Sequence, residues 1–212
     1  MNSNDESFAR VLRLYEERLN EERAKRDSLS ASEFSSRRDE FLLPVGQDVG
    51  NLLRDLAIGL GAQTIVEVGT SYGYSTLFLA DAARRTGGKV YTYDLAASKQ
   101  AYARERLTEA SLAEFVEWRP GDALELLRDQ PGPMDLVLMD LWKDLYVSCF
   151  ELIYPSLAPG GVVVADNMLR PESARPSAEA YRRAVRAKPD LEAITLPIGQ
   201  GIDIATRRIP GG

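Results

Sequence analysis

Two of the apolar runs in this sequence end in side chains that could hold a hard metal ion. Asp140-Leu-Trp142-Lys143 follows Leu136-Val-Leu-Met139, and Asp166-Asn167 follows Val162-Val-Val-Ala165. Two carboxylates and an amide offer oxygen donors suited to magnesium or calcium, with water and substrate completing the shell. An Asp-Asn pair after a strand is also an ordinary turn. A second such element, with a lysine three residues beyond its aspartate, favours the cation reading.

A third stretch, Glu67-Val-Gly69-Thr-Ser71-Tyr-Gly73-Tyr-Ser75-Thr76, has two glycines four apart. They permit a tight strand-to-helix turn and close approach of backbone to a ligand. The spacing is not Gly-x-Gly-x-x-Gly, so a dinucleotide pyrophosphate, and with it an NAD-dependent oxidoreductase, is disfavoured. Glu67 would repel phosphate and attract an ammonium or sulfonium group. Ser75, at the start of the next helix, could bind a carboxylate together with backbone N–H groups. An amino-acid-bearing cationic cofactor fits this loop; a glycine turn used only for packing is the alternative. Asp94 closes Tyr91-Thr-Tyr-Asp94, about 25 residues past the glycine loop, where a carboxylate can accept both hydroxyls of a ribose. An Asx turn or helix cap would explain the same residue. Asp122, after Arg119-Pro-Gly121, either caps the following helix or accepts the exocyclic amine of a purine.

Composition narrows the chemistry further. The 212 residues contain no histidine, which removes a Ser-His-Asp triad, an imidazole base and histidine-rich metal sites. Any general base must be a lysine, carboxylate or tyrosine with a shifted pKa. The single cysteine, Cys149, excludes an intrachain disulfide and a cysteine-rich zinc site. A net charge of −6 disfavours a broad nucleic-acid surface. No apolar run approaches the roughly 18 residues of a membrane span, and the acidic start is no secretory signal, so the expected location is the cytoplasm. The length suits one generous domain.

The elements that must position these residues are legible as periodicities. Phe8, Leu12, Tyr15 and Leu19 form one stripe of an N-terminal helix, with Asp5 and Glu6 at its start and Lys25 and Arg26 at its end. Ser30-Ala-Ser-Glu33 is a capping box opening a short second helix, which Pro44 should stop. In a third helix Val49, Leu52, Leu53, Leu56 and Leu60 share a face, and Gly59 and Gly61 close it. From residue 62 strands and helices alternate. Strands are expected at Thr64–Val68, Lys89–Tyr93, Phe115–Trp118, Met134–Met139, Gly161–Ala165, Leu191–Leu196 and Ile202–Thr206. Helices are expected near 74–85, 98–112, 122–129, 144–155 and 177–187. The unbroken apolar runs read as strands covered on both faces, giving a parallel sheet with right-handed crossovers. Pro197-Ile-Gly-Gln-Gly201 is too short for a parallel return, so the last strand should be antiparallel. The reading is an α/β fold with seven strands, and ligands of such sheets bind beyond the carboxyl ends of the strands.

Taken together, these motifs resemble the class I S-adenosylmethionine-dependent O-methyltransferases, specifically the cation-dependent catechol and caffeoyl-coenzyme A group. The resemblance runs from Pro44-Val-Gly46 to Gly201-Ile-Asp-Ile-Ala-Thr-Arg207, and Asp140-Leu-Trp-Lys143-Asp-Leu-Tyr146 with Ala165-Asp166-Asn167 carries most of its specificity. It implies a Rossmann-like, doubly wound sheet with helices on both faces, a methyltransferase domain over 44–212, and extra N-terminal helices over 1–43 that cover the acceptor site or make a homodimer contact. Val45, Glu67, Gly69, Ser71, Gly73 and Ser75 would surround the methionine part of S-adenosylmethionine. Asp94 would take the ribose, Asp122 and Ala123 the adenine, with Trp142 packed against it. Asp140, Asp166 and Asn167 would ligate a magnesium-type cation, and Lys143 would be the base acting on a small hydroxylated acceptor. One departure stands out: Leu196-Pro-Ile-Gly-Gln200 has no counterpart of the late glutamate that contacts the second hydroxyl in catechol enzymes. A metal-independent methyltransferase and a non-catalytic cofactor-binding protein are the competing readings.

Overall fold

All seven apolar runs become strands: β1 (Thr64–Val68), β2 (Lys89–Asp94), β3 (Val116–Pro120), β4 (Met134–Met139), β5 (Leu157–Ala165), β6 (Leu191–Leu196) and β7 (Ile202–Arg207). In the computed structural model of the chain, residues 3–130 and 132–210 are described. The strands make one sheet in the order β3-β2-β1-β4-β5-β7-β6. Only β7 runs against its neighbours, pairing antiparallel with both β5 and β6. Strand β5 starts four residues earlier than expected. Leu157 pairs with Met134, and an irregularity through Pro159 and Gly160 precedes the regular ladder.

Eight helices surround the sheet among the described residues. The first three are α1 (Ser3–Asp27), α2 (Ala31–Arg37) and α3 (Gln47–Leu60). The others are α4 (Tyr74–Thr86), α5 (Ala97–Glu109), α6 (Ala123–Leu126), α7 (Tyr146–Ile153) and α8 (Arg175–Arg186). The Ser30/Glu33 capping box forms as the sequence suggests. Helix α2 ends at Arg37, ahead of Pro44, in a 3-10 turn over Arg38–Glu40. Helices α6 and α7 are shorter than expected, because their ends tighten into 3-10 turns at Leu127–Asp129, Lys143–Leu145 and Tyr154–Ser156.

The inner row of α3 is Val49, Gly50, Leu53 and Ala57. A Cβ on Gly50 would lie 2.7 Å from the Phe78 ring, so the glycine lets α3 press directly on α4. That close approach selects the row. Leu60, expected on the same face, sits on the final turn and is 40% exposed.

Alternate residues of the strands feed two cores. Ile65, Leu136, Leu138 and Val164 face α1, α3, α4 and α5, while Val66, Val137, Met139 and Val163 face α6, α7 and α8. Helix α1 docks by its predicted stripe: Tyr15 is fully buried, edge-on to Tyr74 and Tyr102, and Phe8 meets Phe78. No helix among the described residues is long and apolar enough to cross a membrane.

Candidate active site

Sheet register decides which loop residues meet. Val68 pairs with Tyr93 on one side and Met139 on the other, and Met139 pairs with Ala165. The next residues, Gly69, Asp94, Asp140 and Asp166, therefore emerge side by side at the carboxyl edge. Backbone hydrogen bonds continue past the strands: Gly69 N–H donates to Tyr93 O, Asp140 N–H to Val68 O, and Asp166 N–H to Met139 O. Gly69, at φ +108°, lies so close to the β4 tip that a Cβ would sit 2.0 Å from the Asp140 carbonyl oxygen. Its lack of a side chain is what brings the two loops together.

The glycine loop is organised around Glu67. Its carboxylate is fully buried and accepts hydrogen bonds of 2.6 Å from each of the Ser75, Thr76 and Thr92 hydroxyls. Burial raises its pKa to about 7, against the lowering effect of the three hydroxyls, and Asp140 adds to the rise. The Ser75 hydrogen is thus spent on Glu67. Thr70 and Gln100 extend the network behind the loop: the Thr70 and Thr92 hydroxyls share a hydrogen bond, and the Gln100 amide donates to Thr70 Oγ1. Sequence reading missed Thr70, Thr76, Thr92 and Gln100. The visible signal was a buried acid with threonines one strand away, since an ionised carboxylate in a core needs donors.

Asp94 joins the loop to β2. One carboxylate oxygen accepts the Ser71 N–H at 2.7 Å and the other the Ala96 N–H at 2.8 Å, which is the Asx-turn use of the residue. A carboxylate has about four acceptor positions, so this use is compatible with hydroxyl donors as well. Ser71 is held in the left-handed region at φ +46° by that bond. Gly121 N–H donates to Asp94 O, and Asp122 caps α6 by accepting from Leu124 N–H. Ala123 opens that helix beside it. Gly73, also left-handed, packs against Ala103. Val45 is buried at the entry to α3, where a Cβ on Gly199 would touch its carbonyl oxygen. The Trp142 side chain is 56% exposed at the rim.

The two acidic strand tips do come together. Asp140 and Asp166 each have a raised pKa, chiefly from desolvation, and Asp140 raises that of Asp166 directly. The Asn167 amide nitrogen donates to Asp166 Oδ2 at 3.1 Å, so the amide oxygen is the atom that could face a cation. Asn167 sits at φ +55° in the left-handed region, a conformation asparagine tolerates better than most residues. Asp166 Oδ1 is buried and has no hydrogen-bond partner. A buried carboxylate oxygen without a donor is costly unless a cation faces it.

Lys143 stands over this pair. Burial lowers its pKa, and so does the positive charge of Arg38, while Asp140 and Asp166 oppose the shift. Its ammonium donates to Tyr146 Oη and to Leu141 O at 3.3 Å. Tyr146 Oη in turn donates between the Met139 and Asp166 carbonyls, at 2.8 and 3.1 Å. Tyr146, read from sequence only as part of a motif, therefore ties the ends of β4 and β5 beneath the lysine.

Comparison with known proteins agrees with this geometry. A family profile described as "Methyltransferase domain" matches residues 66–168. The chain is 32% identical over 163 residues to a catechol O-methyltransferase of Mycobacterium tuberculosis, covering 73% of this chain and 74% of that one. It is 28% identical over 187 residues to caffeoyl-CoA O-methyltransferase 5 of Nicotiana tabacum, covering 78% of each. Among solved structures, the O-methyltransferase TomG from Streptomyces achromogenes, in complex with SAM, superposes with a TM-score of 0.73 at 28% identity, over 82% of this chain and 86% of that one. The protein belongs to the S-adenosylmethionine-dependent O-methyltransferases of the catechol and caffeoyl-coenzyme A type.

Proposed function

We propose that the enzyme methylates a hydroxyl of a small aromatic vicinal diol, with Asp140, Asp166 and Asn167 holding a divalent, magnesium-type cation and Lys143 as the base. The observation that carries the reading is the partnerless, buried Asp166 Oδ1 beside a second desolvated carboxylate, with an amine above both. Hard oxygen donors without histidine suit such an ion. When bound, the cation supplies Lewis acidity that stabilises the acceptor oxyanion and orients the diol.

The remaining work falls to the chain. A free phenol titrates near 10, so about one molecule in a thousand is ionised at neutral pH. Lys143, with its proton affinity lowered by burial, can take the hydroxyl proton at its Nζ once it is itself neutral. Tyr146 and the Leu141 carbonyl fix the direction of that nitrogen. On the donor side, Glu67, Gly69, Ser71, Gly73, Ser75 and Val45 form the methionine cradle. Asp94 takes the ribose, and Asp122, Ala123 and Trp142 frame the adenine. Alignment of the acceptor oxygen with the methyl group then supplies much of the rate. We further assign residues 1–43 as the cover of the acceptor side. The turn carrying Arg38 is pinned over Trp142 and Lys99, which supports that assignment.

The test is transfer of a labelled methyl group to a catechol acceptor with magnesium and with chelator. Activity should fall at least a hundredfold in chelator and return with magnesium. Full activity in chelator would eliminate the cation from the mechanism.

A further inference from the structure

The geometry points to Arg38 as an acceptor-selecting residue that favours diols bearing a carboxylate; this rests on the diol reading given above. Arg38 lies on the 3-10 turn that follows α2, and both flanks of that turn are tied down. Asp39 pairs with Lys99 at 2.9 Å, the Tyr72 hydroxyl donates to the Asp39 carbonyl, and Glu22 accepts the Leu42 N–H at 2.6 Å. Arg37, next door, is engaged by Glu40. Arg38 alone on this turn makes no salt bridge with a carboxylate among the described residues.

Its guanidinium instead stacks 5.3 Å from the centre of the exposed Trp142 ring, at the rim of the site. It is near enough for its charge to act on both Asp140 and Lys143. An arginine held on an aromatic face keeps its fork of donors for a further partner. The local charge strengthens the point. A divalent cation would balance the carboxylates of Asp140 and Asp166, and the Arg38 guanidinium then adds a positive charge at the mouth. An acceptor with a carboxylate beyond its diol would place that anion where a planar, five-donor cation stands unpaired. A neutral diol of the same size gains nothing from it.

The test compares 3,4-dihydroxybenzoate with 3,4-dihydroxybenzyl alcohol, which have similar size but differ in charge. In wild type the kcat/KM ratio should favour the acid. That preference should fall about tenfold in Arg38→Ala, the scale of one charge-assisted hydrogen bond. It should survive largely in Arg38→Lys. Arg38→Glu should instead gain on 3,4-dihydroxybenzylamine, and the wild-type preference should shrink with salt. An acid-to-neutral ratio unchanged within about twofold across the variants overturns the assignment while leaving the diol reading standing. If wild type methylates neither acceptor, the diol reading itself fails. In that event calorimetry decides, with the protein loaded with S-adenosylhomocysteine and magnesium. Weaker binding of dihydroxybenzoate to Arg38→Glu than to wild type supports the role of Arg38, whereas equal or undetectable binding overturns it.

Discussion

The base proposed at Lys143 would owe its task to its surroundings. Free lysine titrates near 10.4 and is an idle base at neutral pH. Here burial works against its charge and two carboxylates work for it, so its proton affinity is set by whatever occupies the acidic pair. Lys143→Ala should lower turnover roughly 10²–10⁴-fold, and Lys143→Arg should not restore it, because a guanidinium keeps its proton. Single-turnover methyl transfer, with circular dichroism as the check on folding, measures both. Glu67 gives a second prediction at this scale. Its folded pKa, about 7, lies above the usual 4.5, so the native state holds a proton that the unfolded chain has released. Stability from this group is full below pH 4.5 and is lost as pH rises towards 7. Urea unfolding of wild type relative to Glu67→Gln should therefore show a difference that declines across that window. The decline should be on the order of 3 kcal/mol at most. A flat difference would mean that the three hydroxyls hold the carboxylate ionised throughout.

Individual elements owe their placement to a few contacts at their ends. Gly69 lets the β1 loop rest on the β4 tip, and no other residue can take its conformation with its Cβ 2.0 Å from a carbonyl oxygen. Gly69→Ala combines left-handed strain with overlap and should cost roughly 2–4 kcal/mol by thermal unfolding, together with a loss of S-adenosylhomocysteine affinity. At the other side of the site, Arg182 of α8 forms a bidentate pair with the nearly buried Asp203 of β7, at 2.7 and 3.1 Å, and also donates to the Met168 carbonyl. It thereby fastens the helix to the segment that follows Asn167. Arg182→Met leaves Asp203 unpaired in the core and should destabilise by roughly 2–4 kcal/mol. The double variant Arg182→Met with Asp203→Asn should recover part of that loss, and a cycle of urea melts reads the coupling.

At the scale of the whole molecule, the doubly wound order explains why distant segments share one edge. The chain turns back at β1, and its strand tips deliver residues 67–75, 94, 122, 140 and 166 to one edge of the sheet. Helix α1 is distant in sequence from all of these, yet Tyr15 donates to the Tyr72 carbonyl at 2.7 Å, inside the glycine loop. Burial raises the Tyr15 hydroxyl pKa, so this bond keeps its donor at any working pH. Helix α1 is thus part of the frame that holds the glycine loop in place.

What could be read from residues alone was the class of element and the chemistry at its end. Unbroken apolar runs specify covered strands, and the lack of histidine confines metal binding to oxygen donors. The family resemblance rested on the short motifs around Lys143 and Asp166. Element boundaries shifted where 3-10 turns or the Pro159-Gly160 irregularity intervened, because local backbone geometry is settled by partners that periodicity does not encode. The tertiary structure alone decided that Ser75 serves Glu67, that Asp166 keeps one oxygen without a donor, and that Arg38 arrives at the rim from the far end of the chain. The physical reason is range. Hydrophobic period and capping act over a few residues, whereas the burial of a charge depends on every segment folded around it.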